Sequence, residues 1–474
     1  MRGVHTVEQV RSAEDALMAR LPDGALMARA AYGLAVECLR LLGTVYGARV
    51  VVLTGAGNNG GDALYAGAYL ARRGARVTAV LLSPDRAHAG GLSALRAAGG
   101  RVADPTADVV SGADLVLDGI VGIGGSGDLR PAAVPPTEAA RGSTVVAVDV
   151  PSGVDADTGE AGEHAVRADV TVTFGTLKPG LVVGAGAEHA GEVRLVDIGL
   201  GATLPEARTQ VLENADVAAL LPTPGGADDK YSRGVVGLVS GSAAYPGAGV
   251  LSTGSAINGG AGMVRYAGTA ADAIRAAYPE VVVQEGSKPS GLRVQSWVAG
   301  PGMGTDDDAR DLLADVLGTD VPVLVDADGI TVLGKHPDLL RGRSAPTVLT
   351  PHDREFARVA DGPSADRLAS TRAAAAALGA VVLLKGEATV VVAPDGRAWV
   401  NRTGTPWLGT AGSGDVLSGL IGSLLAAGLD APLAAAVGAY VHGVAGQLAA
   451  ADGPPSSVDV LHAVRPALRA IRRG

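Results

Sequence analysis

The 474-residue sequence holds one cysteine, Cys38, so no disulfide can close within the chain and a reducing, cytoplasmic setting is expected. Cys38 lies in the apolar stretch "LAVECLRLL" and reads as a small buried residue rather than a reactive thiol. Aromatic residues make up 3% of the chain, so its cores must be built from Ala, Val and Leu. Basic charge is not in excess: the formal net charge of −10 argues against the clustered cationic face of a nucleic-acid binder. Nucleotide ligands stay open, because backbone amides hold phosphate without surplus lysine. The longest apolar region, "VLSGLIGSLLAAGLDAPLAAAVGAYV", is broken by Asp430 and Pro432 and reads as two packed helices, not a membrane span. The opening "MRGVHTVEQVRSAEDALMAR" carries charge throughout and lacks the apolar core of a signal peptide. No histidine pair has the His-Glu-x-x-His spacing of a zinc site.

What is plentiful is glycine, 69 residues, with no three-residue collagen period. The glycines follow valine-rich runs, where tight strand-to-helix turns are expected. Those runs are "ARVVVLTG", "ARVTAVLLS", "ADLVLDG", "TVVAVDVPSG", "DVTVTFG" and "GEVRLVDIG". Alternation of apolar strands with helical stretches such as "ALYAGAYLARRG" implies a parallel sheet covered on both faces. A helix over "TVEQVRSAEDALMARL" precedes the first strand. After "VDIGL" the pattern lapses through a polar, proline-containing segment. It restarts with "GVVGLVSGS", "SWVAGPGMG", "PVLVDADG", "PTVLTPH", "AVVLLKG" and "TVVVAPDG". Two α/β domains are expected, 1–210 and 211–474, with a hairpin in "TVVVAPDGRAWVN".

Two glycine loops carry the chemistry. In "TGAGNNGGDALYAG" an apolar strand leads into a helix expected to begin near Ala63. Amides at such a helix start favour phosphate, while Asn58, Asn59 and Asp62 offer groups that orient a ligand or hold a cation through oxygen. "LDGIVGIGGSGDLR", with Asp118, and "AVDVPSGVDADTG", with Asp149 and Ser152, fall at the expected carboxyl edge of the same sheet. Taken singly, these residues read equally well as cation ligands or as turn and cap residues.

Together with "ADVTVTFGTLKPGL", these runs resemble the NAD(P)H-hydrate epimerase family across nearly all of residues 1–200. The resemblance implies a Rossmann-like domain that interconverts the epimers of hydrated NADH or NADPH. It implies that Asn58, Asn59, Gly60, Gly61 and Asp62, with Gly122, Ile123, Gly124, Gly125, Ser126, Gly127 and Asp128, contact the hydrate. Asn59, Asp118 and Ser152 would bind K⁺, and Asp149 would act beside the reacting carbon. Lys178, in "LKPG", is a further candidate for proton traffic. Ala63 replaces the family's glycine and is expected to crowd the ligand slightly, and an aromatic usual in the second loop is missing from "GIVGIGG".

The second loop, "GTAGSGDVLSGLIGSLL", places Asp415 in the first turn of a helix. Amides around Gly412 to Gly414 can hold a moving phosphoryl group, and Asp415 can take a proton from a hydroxyl. The helix dipole is expected to keep this carboxylate ionised and only modestly basic. The loop resembles the anion hole and base of the ribokinase-like fold. With "GPGMGT", "VLVDADGI", "VLTPHDREFARV" and "LLKGEATVV", it resembles the ADP/ATP-dependent NAD(P)H-hydrate dehydratase family from about residue 225 onward.

The resemblance implies that Ala248, Gly302, His352 and Asp415 contact the hydrate. It also implies that Lys385, Gly386, Glu387, Ala388, Thr389 and Gly414 contact ADP or ATP, with Mg²⁺ offsetting nucleotide charge. The whole chain then resembles the bifunctional repair enzymes of nicotinamide nucleotides, acting on small molecules; no nucleic-acid or membrane partner is expected, and the low-charge alanine-rich helices suggest packing between subunits of a homo-oligomer. Its departures are His352-Asp353-Arg354-Glu355 in place of His-Pro-Gly-Glu, and "TPWL" at Thr405–Leu408. The first is expected to loosen its turn and bring a new cation to the site, and the second puts a bulky Trp407 near the pocket. An alternative is a small-molecule kinase fused to a non-catalytic nucleotide-binding domain.

Overall fold

The computed structural model describes residues 1–125, 127–284 and 288–473, and it divides into two compact units, Arg2–Arg208 and the chain from Thr209 onward with Met1. In the first unit the seven-stranded sheet consists of β1 (Arg49–Thr54), β2 (Arg76–Leu81), β3 (Arg101–Ala103), β4 (Leu115–Gly119), β5 (Thr144–Val148), β6 (Val170–Phe174) and β7 (Glu192–Val196). They pair in the order β3-β2-β1-β4-β5-β6-β7, each pair parallel. The chain fills one side of β1, then returns to its other side with β4, which makes β1/β4 the topological switch point. The strands are valine runs because both faces are covered. Val50, Val52 and Leu117 pack with Leu34 and Cys38 on one face. Val51, Leu53 and Val116 pack on the other. Burial pushes the Cys38 thiol up to about 12, so it is inert.

Three helices shape the carboxyl edge: α1 (Val7–Met18), α2 (Ala25–Leu42) and α3 (Asn58–Arg72). A Thr6–Gln9 capping box starts α1. α3 begins at Asn58, five residues before the expected Ala63. Gly57, at φ 84°, makes the whole turn, so the Asn-Asn-Gly-Gly run is already helical. Sequence propensity favours a later start, because two adjacent glycines cost about 1 kcal/mol each in a helix.

The second unit has β8 (Thr209–Val211), β9 (Val235–Val239), β10 (Met263–Tyr266), β11 (Val282–Val283), β12 (Ser296–Ala299), β13 (Val323–Val325), β14 (Thr347–Leu349), β15 (Val381–Leu384), β16 (Thr389–Val392) and β17 (Ala398–Asn401). Within the unit they run β8-β17-β16-β15-β14-β13-β12-β9-β10-β11. β16 is antiparallel to both neighbours, and the remaining pairs are parallel. The expected hairpin is therefore present, closed by Ala393 N–H to Arg397 O. The short strands β8, β10 and β11 are not evident in the sequence, since two to four residues give no readable alternation.

The principal helices are α4 (Pro246–Asn258), α5 (Asp353–Val359), α6 (Ser413–Ala426), α7 (Ala431–Ala449) and α8 (Ser457–Arg473). α6 and α7 are the two packed helices of the long apolar region. Among the described residues no helix is long and apolar enough to cross a membrane. α6 lies against α4 at backbone contact: a Cβ on Gly419 would stand 2.0 Å from Ser252 O. Ser255 Oγ donates to Val416 O across the same seam at 2.5 Å.

Candidate active sites

At the carboxyl ends of β1 and β4 the first unit opens a cleft of about 1270 Å³. Its walls include Arg11 and Glu14 from α1, Met27 from α2, Asn58, Asn59 and Asp62 from α3, and the 120–125 loop with Gly127 and Asp128. The two loops cross so closely that a Cβ on Gly55 would fall 1.9 Å from Ile120 O, so only glycine fits there. The structure thus brings Asn58, Asn59 and Asp62 together with Gly122, Ile123, Gly124, Gly125, Gly127 and Asp128. Gly60 and Gly61 are buried beneath them, and Ser126 lies outside the described residues. Asp128 Oδ1 accepts from Leu129 and His164 N–H, closing the end of its loop. Ala63 does not crowd a ligand: it is buried, with its methyl group facing Gly119 at the end of β4.

Asp118 ends β4 fully buried. Its Oδ1 accepts from Ser152 Oγ at 2.6 Å and its Oδ2 from Ser152 N–H at 2.8 Å. Burial pushes this carboxyl up to about 6 despite the Ser152 hydrogen bonds. Ser152 Oγ also accepts from Val121 N–H at 2.9 Å, and next along, Asn59 Oδ1 lies 2.8 Å from where a Gly122 Cβ would be. Carboxylate, hydroxyl and amide oxygens therefore line one short path. The Asn59 amide nitrogen is buried without a partner among the described residues.

Asp149 has φ 69°, a left-handed conformation that costs a non-glycine residue roughly 1–2 kcal/mol. Its Oδ1 gathers three donors: Thr173 Oγ1 at 3.0 Å, Phe174 N–H at 3.2 Å and Lys178 Nζ at 2.5 Å. Lys178 is 1% exposed and also donates to Thr173 Oγ1 and Phe174 O. The lysine is thus a buried counter-ion held against Asp149.

In the second unit Gly412, at φ 90°, turns the chain into α6, and Asp415 sits in the first turn. The anticipated modest basicity is wrong. Burial, then the negative charge of Asp326, push Asp415 up to about 7 against the pull of Lys385. The dipole is outweighed by burial and by the charges of three carboxylates, Asp326, Asp328 and Glu355, that act on Asp415. Lys385 Nζ lies 2.9 Å from Asp326 Oδ1 and 3.6 Å from Glu355 Oε2. Burial opposes the ammonium, but Asp326 and Glu355 outweigh it and hold its pKa above the ordinary lysine value. A Gly414 Cβ would stand 3.5 Å from Lys385 Nζ and 3.6 Å from Asp326 Oδ2, so the ammonium borders the glycine turn. Ser418 Oγ, one turn into α6, donates to Asp326 Oδ2 at 2.8 Å.

Gly302, at φ 60°, meets Ala248 of α4: a Cβ there would be 2.8 Å from the Ala248 methyl. His352 caps α5, its Nδ1 accepting from Arg354 and Glu355 N–H, while Glu355 Oε2 accepts from His352 N–H at 2.9 Å. This capping box closes the turn without Pro-Gly, so the loosening expected there is absent. Arg354 is exposed, and Asp353 pairs with Arg367, whose Nη2 reaches Lys385 O at 2.9 Å. Thr389 Oγ1 donates to Gly386 O, folding the Lys385–Thr389 turn, with Glu387 exposed and Ala388 buried. Trp407 is 49% exposed, while Leu408 O accepts from Ser413 Oγ at 2.6 Å and ties "TPWL" to the start of α6.

Sequence reading missed Glu14, Asp326 and Glu355 as site residues. The last two stand inside motifs already quoted, "VLVDADGI" and "PHDREF", where a carboxylate at a strand end or helix start was the available signal. Glu14 had none.

His442 of α7 is buried, hydrogen-bonds the Ser413 backbone at the same helix start, and is pushed down to about 4 by burial. A depressed folded pKa gives stability that is present above pH about 6.5 and lost as pH falls toward about 4. The expected loss is roughly 3 kcal/mol across that window. His442→Met should remove this part of the pH dependence. Urea unfolding followed by tryptophan fluorescence at pH 7 and pH 4.5 checks it, because Trp297, Trp399 and Trp407 all lie in this unit.

A parallel-sheet unit with a glycine-walled cleft at its switch point, joined to one with a Gly-Asp helix start among carboxylates, defines a two-site α/β enzyme of nucleotide chemistry. Residues 236–465 match the family model described as NAD(P)H-hydrate dehydratase, and residues 23–180 match that of the YjeF-related protein N-terminus. The bifunctional NAD(P)H-hydrate repair enzyme Nnr of Mycobacterium leprae is 53% identical over 465 residues, spanning 97% of this chain and 96% of its own. The crystal structure of Bacillus subtilis ADP/ATP-dependent NAD(P)H-hydrate dehydratase, co-crystallised with ATP and Mg²⁺, is similar at a TM-score of 0.50 and 26% identity. It covers 55% of this chain and 97% of that one. A ribokinase-like superfamily protein of Enterococcus faecalis V583 shares the fold at a TM-score of 0.51 and 24% identity, over 57% of this chain and 99% of that one. The chain belongs to the family of bifunctional NAD(P)H-hydrate repair enzymes.

Proposed function

We propose that the chain repairs hydrated nicotinamide cofactors at two sites. The first unit interconverts the R and S epimers of NADHX or NADPHX. The second dehydrates the S epimer to NADH or NADPH at the expense of ADP or ATP. The observation that carries this is Asp415, held at about 7 beside Lys385 at a glycine-turned helix start, in a chain aligned end to end with bifunctional repair enzymes.

In the second unit, Asp415 takes the hydrate's hydroxyl proton as that oxygen attacks the terminal phosphorus of the nucleotide. Amides of the Gly412–Gly414 turn and the Lys385 ammonium hold the phosphoryl group in transit. Phosphate then leaves the ring carbon, the ring nitrogen donates its electron pair, and loss of a proton from the neighbouring carbon restores the double bond. The turn Lys385–Thr389 with Gly414 binds the nucleotide, and Ala248, Gly302 and His352 border the hydrate. Among the described residues no three acidic or His side chains stand together as a metal cage, so Mg²⁺ would be held by one or two of Asp326, Asp328 and Glu355 with the nucleotide phosphates, whose charge it would offset.

In the first unit, Asn58 to Asp62 and Gly122 to Asp128 hold the hydrate, with Asp149 beside the reacting carbon. The oxygens of Asn59, Asp118 and Ser152 suit K⁺, a hard and weakly demanding cation, which supplies positive charge next to the nucleotide. Assembly as a homo-oligomer in the cytoplasm belongs to the same reading.

Full-length protein given mixed NADHX epimers and ADP or ATP is expected to restore NADH absorbance from the whole mixture. Without nucleotide the epimers should exchange and no NADH appear. A stable phosphorylated product with no NADH would instead mark the second unit as a small-molecule kinase.

A further inference from the structure

Water added across the ring's enamine double bond puts the hydroxyl on the carbon bonded to the ring nitrogen. One route that inverts that carbon takes a group that removes the hydroxyl and one that accepts a proton as water adds to the other face. Asp62 stands in the wall of the first cleft, and Asp149, which is not part of that wall, lies near enough for its charge to act on Asp62. Asp149 is locked to Lys178 by a 2.5 Å ion pair. Asp62 lines the cleft yet is 9% exposed, and its Oδ1 is buried without a partner among the described residues. A buried carboxyl oxygen with nothing to bond is costly unless a ligand completes it.

We propose that Asp62 is the proton donor of epimerisation, working with the Asp149–Lys178 pair. This rests on the function proposed above and adds the route. Asp62 gives its proton to the hydroxyl, the carbon–oxygen bond breaks with its pair leaving as water, and the ring nitrogen's lone pair closes a carbon–nitrogen double bond. Water then adds to the opposite face, the pair returns to nitrogen, and the surplus proton passes to Asp149. The reverse turnover, or exchange with cleft water, resets both carboxyls, so nothing is oxidised or reduced. Burial, followed by the charges of Asp149 and Glu14, holds the Asp62 carboxyl well above the usual range, the direction a proton donor needs. Glu14, raised by burial and by Asp149, completes the acidic side of the cleft from α1.

The test is epimer exchange of NADHX by the full chain in H₂¹⁸O without nucleotide. Wild type should place one solvent oxygen in the hydroxyl per inversion. Asp62→Asn should slow exchange by at least about 10²-fold, with KM little changed, and Asp62→Glu should regain part of it. Inversion without ¹⁸O uptake overturns the proposal whether or not the variants fold, since the carbon–oxygen bond then survives. Asp62→Asn exchange within threefold of wild type overturns it too. If wild type does not accelerate exchange at all, it is the epimerase reading that fails.

Discussion

Asp415→Asn is expected to lower conversion of the S hydrate to NADH by about 10³-fold while epimer exchange stays at the wild-type rate. Asparagine keeps the shape and can still accept a hydrogen bond, but it cannot take the hydroxyl proton. In wild type, kcat/KM for dehydration should rise through about pH 7, because the base works only when ionised and burial with Asp326 has pushed it up to about 7. The same raised pKa means the folded protein binds this proton more tightly than the unfolded chain. Its contribution to stability is therefore full below the ordinary carboxylate value of 3.8 and is lost as pH rises through about 7. Stability is spent where the base becomes active. A dehydration rate in Asp415→Asn within tenfold of wild type would remove the residue from the chemistry.

Lys178→Met is expected to destabilise the first unit by about 3–5 kcal/mol, because it strands the Asp149 carboxylate in a buried setting. Lys178 is 1% exposed and Asp149 8%, so water cannot replace the lost partner. Adding Asp149→Asn to the same chain should recover a large part of the loss, since the orphaned charge is then gone. All three tryptophans lie in the second unit, so their fluorescence should not follow this change, whereas circular dichroism should. Equal destabilisation by the single and double variants would show that Lys178 acts through packing rather than charge.

The architecture was legible where local chemistry decides it. Valine runs such as "ARVVVLTG" became the central strands because buried parallel strands need β-branched residues on both faces. Asp430 and Pro432 marked the break between α6 and α7 correctly. The start of α3 was misplaced because Gly60 and Gly61 are poor helix formers, and only packing beneath the cleft rewards them. The site was legible as far as its loops. Asn59, Asp62, Asp118, Asp149, Ser152 and Asp415 stand in motifs that announce themselves.

Charge coupling was not legible. The basicity of Asp415 depends on Asp326, just past β13, and Glu355, in the first turn of α5, about 60 to 90 residues earlier, and their fields add only after folding. Glu14 lies on a helix that precedes the first sheet strand, so no motif links it to Asp62. Ala63 looked like a ligand-side change, and only the position of Gly119 shows that it faces the sheet.

The seam between α4 and α6 sets a mechanical limit. With Gly419 pressed against Ser252 O and Ser255 hydrogen-bonded to Val416 O, the helix bearing Asp415 cannot slide along the helix bearing Ala248. Asp415 and Ala248 thus share one stiff chassis. Any displacement of one of these two residues must therefore carry the other with it, as a single body.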